Sequence, residues 1–341
     1  MYKDIKRYLL KLAIFCIPFL IFVAWYIYLD PFQIIWHYDN YFVRKSARLS
    51  LNHGFVALAN LDNHYDEYQW DSYIFGNSRS RYWNIDDWEQ FLPKGSKGYH
   101  FDASGESLFG IEKKVQYLDK QNIKIKNAII VMDAGVIGQI ESSHTVHVMM
   151  IPPKLVNYSN WFEFQTTNFG VFCNFEFIKI CMEYRQGAEV TTQEDLINGE
   201  LFDYDYRGNQ VKLGPAEKQI SEGKYYTDDL VKLQFLNNEY PDSISPVIIG
   251  EKQKEMFEEI ERIFKKHGTS YRIVISPLWD KIELNPTDVE YLKETFGANN
   301  VFDYSGVNEI TSDYHNYYEH SHYRSGTAKR IMNEIYSNQK K

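Results

Sequence analysis

A serine hydroxyl becomes a nucleophile only when a base takes its proton and a third group orients that base. Two short stretches of this 341-residue chain carry the residue types for that work. The first is Ser72-Tyr73-Ile74-Phe75-Gly76-Asn77-Ser78-Arg79-Ser80, a short apolar run ending in a Gly-Asn-Ser turn. Such a run predicts a strand, and a serine on the bend after it sits at the edge where open α/β sheets bind ligands. The second is Tyr317-Tyr318-Glu319-His320-Ser321-His322-Tyr323-Arg324. Glu319 and His322 are three apart, and on a helical turn that spacing sets both on one face. In this reading Ser78 is the nucleophile and His322 accepts its proton. Glu319 holds the imidazole tautomer and stabilises the imidazolium. His320 is the alternative base. Arg79 and Arg81 flank the serine and could bind an anionic substrate such as a uronate or a phosphate-bearing glycan. Salt-bridged or solvated arginines are the more usual outcome.

The intervening chain must build the edge that brings these stretches together. Residues 73–75 are the first strand signal. Residues 98–103 are the second, ending in Ser104-Gly105-Glu106-Ser107. Leu108, Ile111, Val115 and Leu118 then recur at helical spacing behind Ser107, a plausible N-cap. Residues 127–133 form a continuous apolar run ending in Asp133, the pattern of a buried parallel strand. Regular alternation resumes after Gly250. It gives a helix through Met256–Phe264, a strand at 271–277, a short helix behind a Thr287–Glu290 capping box, a strand at 300–304 and a last helix through Ala328–Ile335. This order predicts an α/β fold, a parallel sheet with helices on both faces. Residues 136–249 read as an aromatic-rich insertion that caps the active edge, and residues 30–70 as a polar, aromatic connector with no clean period.

From Leu9 to Leu29 the chain is almost wholly apolar or aromatic, broken only by Lys11. About 20 residues at ~1.5 Å each cross a hydrocarbon core. Lys3, Lys6, Arg7 and Lys11 mark the cytoplasmic side, so residues 1–8 are expected inside, 9–29 within the membrane and the rest outside. The rival reading, a cleaved signal peptide, suffers from the length of the run and from the lack of a small-x-small site. Cys173 and Cys181 could pair in an oxidising compartment, and two free thiols are the equal alternative. The net charge of −9 argues against a nucleic-acid partner, which needs a basic stripe. No Walker A or GxGxxG pattern supports a nucleotide. His144 and His147 lack the neighbours of a zinc site, and Asp102 and Asp133 at strand ends read first as loop hydrogen-bonders, so neither a metal nor another cofactor is expected.

Gly76-Asn77-Ser78-Arg79-Ser80, followed far downstream by an acid-x-x-His, resembles the SGNH (GDSL-type) hydrolase superfamily. The nearest resemblance is to its membrane-anchored branch of cell-envelope proteins, which includes accessory proteins of teichoic-acid D-alanylation and alginate acetylation. It covers residues from about 70 to 337 and rests on short motifs. Asn77 stands where the family has Asp, and Glu319 where the family's last motif has Asp. The resemblance implies a three-layer, flavodoxin-like sheet over residues 71–337. It implies an oxyanion hole from the N–H groups of Ser78 and Gly105, with Asp133 at the third-motif position where the family places an Asn donor. An ionised Asp cannot donate. The function implied is a serine acyl esterase or O-acyltransferase in the bacterial cytoplasmic membrane, its domain extracytoplasmic. It would act on acylated glycan, with a membrane acyltransferase as a candidate partner. The alternative is a non-catalytic accessory protein of the same fold.

Overall fold

The structure, a computed structural model, describes residues 2–41, 51–179, 203–212, 214–238 and 243–337. Five parallel strands form the central sheet: β1 (Ser72–Gly76), β2 (Gly98–His100), β3 (Asn127–Met132), β4 (Ser270–Ile275) and β5 (Val301–Asp303). Their order is β2-β1-β3-β4-β5. The direction of winding reverses at β1, and ligands bind beyond the carboxyl ends of strands at such a reversal. Every residue of β1 and β3 is buried, which is why both read as unbroken apolar runs.

In chain order the main helices are α1 (Tyr2–Leu29), α2 (His53–Tyr68), α3 (Leu108–Lys120), α4 (Trp161–Phe172), α5 (Gly214–Ser221), α6 (Asp228–Gln234), α7 (Glu251–His267), α8 (Pro286–Phe296) and α9 (Ser325–Ser337). Strand side chains alternate between two cores, as the period of two requires. Tyr73, Phe75, Ile130 and Ile273 pack with residues of α2, α3, α7 and α8. Ile74, Ile129, Val131 and Val274 pack with Ile331, Met332 and Ile335 of α9 and with Trp83 and Trp88. Each fully buried side chain of this size contributes about 1.5–3 kcal/mol, so both faces are strongly committed. The helix after β2 begins as expected, with Ser107 Oγ accepting from Gly110 N at 2.9 Å. The helix α8 is capped two residues earlier than its sequence suggests, by Asn285 with Pro286 behind it, not by Thr287.

The chain divides into two compact units, Met1–Leu51 with Gln165–Gly199, and Asn52–Phe164 with Glu200–Lys341. The first boundary falls inside the 30–70 stretch. Its second half is the helix α2, whose Ala57, Leu58 and Leu61 are core residues of the sheet unit. The apolar positions were masked by Asn60, Asp62, Asn63 and His64 between and after them. Asn60 is itself buried, and its Nδ2 donates to Tyr206 O at 3.1 Å. The division also splits the expected insertion. Its last part stays with the sheet unit, where the hairpin of Asp203–Asp205 and Gln210–Lys212 lies along the free edge of β2. His100 N donates to Gly208 O at 2.9 Å and Trp70 Nε1 to Arg207 O at 2.6 Å. That closes an edge which would otherwise offer unpaired backbone groups.

In the other unit, α1 is long and apolar enough to cross a membrane. Asp30 ends it with a positive φ of 36°. Its carboxylate accepts from Ile34 N at 3.0 Å, Ile35 N at 3.1 Å and Trp36 N at 3.0 Å, which folds the following residues into a tight turn. Phe169 and Phe172 pack on Phe22 and Tyr26 of α1, with ring centroids 5.0–6.0 Å apart. Cys173 is exposed, and its possible partner Cys181 lies outside the described residues.

Candidate active site

The β1 strand ends at Gly76, whose φ is +151°. A Cβ there would meet Val131 O at 2.5 Å, so only glycine lets the chain turn this close to β3. Asn77 then caps a single 3-10 turn over Ser78–Tyr82, its Oδ1 accepting from Arg79 N at 3.0 Å. Ser80 Oγ donates to Asn77 O at 2.7 Å. Ser78 is therefore the first residue of a fixed turn at the carboxyl end of β1, at the winding reversal.

Glu319 and His322 reach it from a small hairpin, β6 (Tyr317–Glu319) and β7 (His322–Tyr323), in which the two residues are cross-strand partners. The three-residue spacing is thus a β-turn, not the expected helical turn, because His320 and Ser321 form the bend. His322 Nε2 lies 2.8 Å from Ser78 Oγ. Its Nδ1 is hydrogen-bonded to Glu319 Oε1, and Glu319 Oε2 accepts from Ser321 N at 2.7 Å. Burial pushes the Glu319 carboxyl up, but the hydrogen bond and charge of His322 outweigh it and leave the group below its ordinary range. His320 turns to Gln234 Oε1 at 2.9 Å. The hairpin is anchored by Tyr317 and Tyr323, both fully buried, with Trp83 Nε1 donating to Tyr323 OH at 2.7 Å. The α5–α6 segment holds it from outside. Tyr226 OH donates to Tyr317 O at 2.7 Å, and Glu217 joins Arg324 to Tyr318 OH.

The structure places both arginines in salt bridges and Asp133 in loop hydrogen bonds, the more usual outcomes for each. Asp133 Oδ1 accepts from Gly135 N at 2.9 Å and Val136 N at 3.1 Å, capping the short helix after β3. Its Oδ2 accepts from Asn77 Nδ2 and Arg79 Nη1, each at 2.8 Å. Arg79 Nε also donates to Ser321 O at 2.9 Å, so this side chain ties the end of β3 to the bend of the Glu319–His322 hairpin. Arg81 donates to Asp102 Oδ2 at 3.3 Å and to Ser104 Oγ at 2.7 Å. Each arginine already has a carboxylate, which leaves little for an anionic substrate.

Asp102 is the centre of a second buried cluster, with His53 Nε2 3.0 Å from its Oδ1. Burial raises its carboxyl, but His53 and Arg81 more than reverse this and hold it well below the ordinary range. The cluster supports the loop after β2 that carries Gly105. Gly105 has a φ of +56°, and a Cβ on it would meet Met149 Sδ at 2.7 Å. The next residue, Glu106, is fixed by a buried ion pair with Lys114. Gly105 and Asn77 line a cleft of about 350 Å³ with Ser245, Ser276, Asp280 and Ile282. Burial raises the Asp280 carboxyl, with Asp133 adding to it. Among the described residues no group of three or more His, Cys, Asp or Glu side chains is placed to hold a metal, and His144 instead pairs with Glu163 at 2.8 Å.

Sequence reasoning missed the Asn77–Asp133–Arg79 hub, the Asp102–His53 pair, and Asp280. Apart from Asn77 and Arg79, no short-range spacing links these residues. The only cue was the acid at the end of each strand. Buried His100 supplies a test. Burial holds its imidazole below the ordinary range despite nearby Asp102 and the Trp83 carbonyl, 2.7 Å from its Nε2. The unfolded chain then takes up protons that the folded one refuses, so this stability is complete above about pH 6.5 and falls as pH drops below it. A His100→Gln form keeps a donor for Trp83 O and should show a shallower acid loss. Urea midpoints from about pH 7.5 to 5 measure this, and a slope as steep as the parent's would refute it.

No protein-family model matches the chain, and no curated protein matches its sequence.

Proposed function

We propose that this chain is a membrane-anchored, extracytoplasmic serine acyl esterase or O-acyltransferase of the SGNH type, acting on acyl esters of cell-envelope or exported polysaccharide. The observation that carries this is the hydrogen-bonded series Ser78–His322–Glu319 at the winding reversal of a parallel sheet. The strand order agrees with the flavodoxin-like sheet of that superfamily, and α1 with a single-pass anchor.

In this mechanism, Ser78 Oγ attacks the acyl carbonyl while His322 Nε2 takes its proton. The Nδ1–H, held on Glu319, fixes the tautomer that leaves Nε2 free to accept. The tetrahedral oxyanion is met by the N–H groups of Ser78 and Gly105. Collapse expels the alcohol oxygen, which recovers the proton from His322 and leaves acyl-Ser78. Water or a sugar hydroxyl then gives its proton to His322 and takes the acyl group, which regenerates Ser78. Because Arg79 and Arg81 are engaged, the ester presented to this site is expected to be uncharged near the reacting carbon, as an acetyl ester is.

One observation favours a second reading, a non-catalytic accessory protein that binds glycan or a membrane acyltransferase. Asp133 accepts at both oxygens and supplies no third oxyanion donor, a loss that typically costs about 10²–10³ in rate. Covalent labelling by a fluorophosphonate separates the two. The esterase reading expects labelling of the full chain in detergent micelles that disappears in Ser78→Ala. Absence of labelling in the folded parent would leave only the accessory reading.

A further inference from the structure

The helix α4 and the residues after it are built for an apolar solvent. Between Glu163 and Glu176 no side chain carries a charge. Gly170, Cys173 and Phe175 in this stretch are exposed, Phe175 to 75%. The inward rings have a definite partner. Phe169 meets Phe19, Phe22 and Tyr26 of α1 at 5.1–6.3 Å, and Phe172 meets Phe22, Trp25 and Tyr26 at 5.0–5.3 Å. The chain then returns to the turn beyond α1, where Phe177 stacks on Phe32 at 5.3 Å.

The depth of those partners decides what surrounds the segment. Phe19 lies about 15 Å of helical rise before the end of α1 at Leu29. That is about half the ~30 Å thickness of a bilayer's hydrocarbon core. If α1 spans a membrane, as proposed above, a ring in lateral contact with Phe19 lies inside the hydrocarbon too. The backbone there is suited to that medium, because the interior of α4 pairs its own N–H and C=O groups. The helix is extended by Cys173 N donating to Phe169 O at 2.9 Å and Asn174 N to Val171 O at 3.0 Å. Of its polar side chains, Asn168 is buried, while Thr166 and Asn174 are exposed.

We propose that residues 165–175 are a second membrane-inserted element, seated among the acyl chains of the leaflet that receives the carboxyl-terminal half of α1. They enter beside the anchor and leave on the same side. The uncharged stretch between Glu163 and Glu176 is too short to span, and its exposed Gly170, Cys173 and Phe175 set it apart from a buried core helix, which leaves a re-entrant or interfacial segment. The exposed face of Gly170, Cys173 and Phe175 meets lipid, and the Phe169–Phe172 face meets α1. The anchor is then a helical pair, which restrains tilt and rotation more than one helix does.

The test uses the full chain, purified and reconstituted alone in phosphatidylcholine nanodiscs. Cys16 is changed to Ala, and Cys173 and Cys181 to Ser. One cysteine is then introduced and labelled with the environment-sensitive dye NBD. Gly170→Cys is the probe site, since an added Cβ there meets nothing within 4 Å. Phe15→Cys on α1 and Lys252→Cys on α7 are the controls. With nitroxide placed on the lipid acyl chains, emission at 170 should fall at least about twofold, as at 15, while emission at 252 holds. Quenching at 15 but not at 170 would overturn the second insertion and leave the anchor standing. Quenching at neither site would overturn both.

Discussion

Replacement of His322 with alanine is expected to lower the turnover of p-nitrophenyl acetate by about 10³-fold or more, with the fold intact. The size follows from the geometry. Ser78 Oγ has its base at 2.8 Å, and nothing else on the hairpin can take the proton, since His320 faces Gln234. The fold should survive because the hairpin is fixed by Tyr317, Tyr323 and the α5–α6 contacts, not by the imidazole. A Glu319→Gln form grades the effect. Its amide either caps Ser321 N through the carbonyl oxygen and turns its NH₂ donor on Nδ1, or offers Nδ1 a neutral acceptor and loses the cap. The tautomer is then no longer enforced and the imidazolium loses its counter-charge, which is expected to cost about 10²–10⁴ in kcat with KM little changed. Steady-state kinetics on parent, His322→Ala, His320→Ala and Glu319→Gln decide the matter. Turnover of His322→Ala within tenfold of the parent, or an equal loss in His320→Ala, would remove His322 from its assigned role.

What could be read in the sequence was whatever a short window encodes. β1 and β3 hold continuous apolar runs because parallel strands are buried on both faces, β4 holds one over its last three residues, and α7 and α9 carry one apolar stripe each. Ser78 and Glu319–His322 stood out because a tight turn and a close acid–base pair are local patterns. The structure puts the three within hydrogen-bonding reach, although a β-hairpin replaces the helical turn. What could not be read depends on tertiary neighbours. The apolar face of α2 is interrupted by Asn60, which is polar because a distant carbonyl, Tyr206 O, receives its amide. The sequence left Arg79 and Arg81 open between salt bridge, solvent and substrate because their acids, Asp133 and Asp102, lie tens of residues away. The aromatic stretch after 136 looked like one insertion because composition cannot distinguish rings that pack on α1, such as Phe169, from rings that pack on the Glu319–His322 hairpin, such as Tyr226.

The Asp133→Asn exchange is where the resemblance and the geometry disagree most sharply. An asparagine here is what the SGNH pattern would have, as an oxyanion donor. If the protein could use that donor, the exchange would raise kcat. The hydrogen bonds point the other way. Asp133 Oδ2 receives two donors, from Asn77 and Arg79, and Oδ1 receives two more, from Gly135 and Val136. An asparagine amide has donors on one side, so in either orientation its NH₂ opposes existing N–H groups. Arg79 also loses its counter-ion, though the guanidinium is partly open to water, which moderates the loss. The expected destabilisation is about 2–4 kcal/mol, below the cost of stripping a fully buried pair. The tie from Arg79 to Ser321 loosens with it, and Ser321 N is a ligand of Glu319. A displaced hairpin should lower kcat by about 10–100-fold through misalignment of His322 with Ser78. Urea unfolding and kcat measured on the same preparation check both parts. An Asp133→Asn protein as stable as the parent and more active would show that the site uses a third donor, and that the hub assigned to Asp133 is incidental.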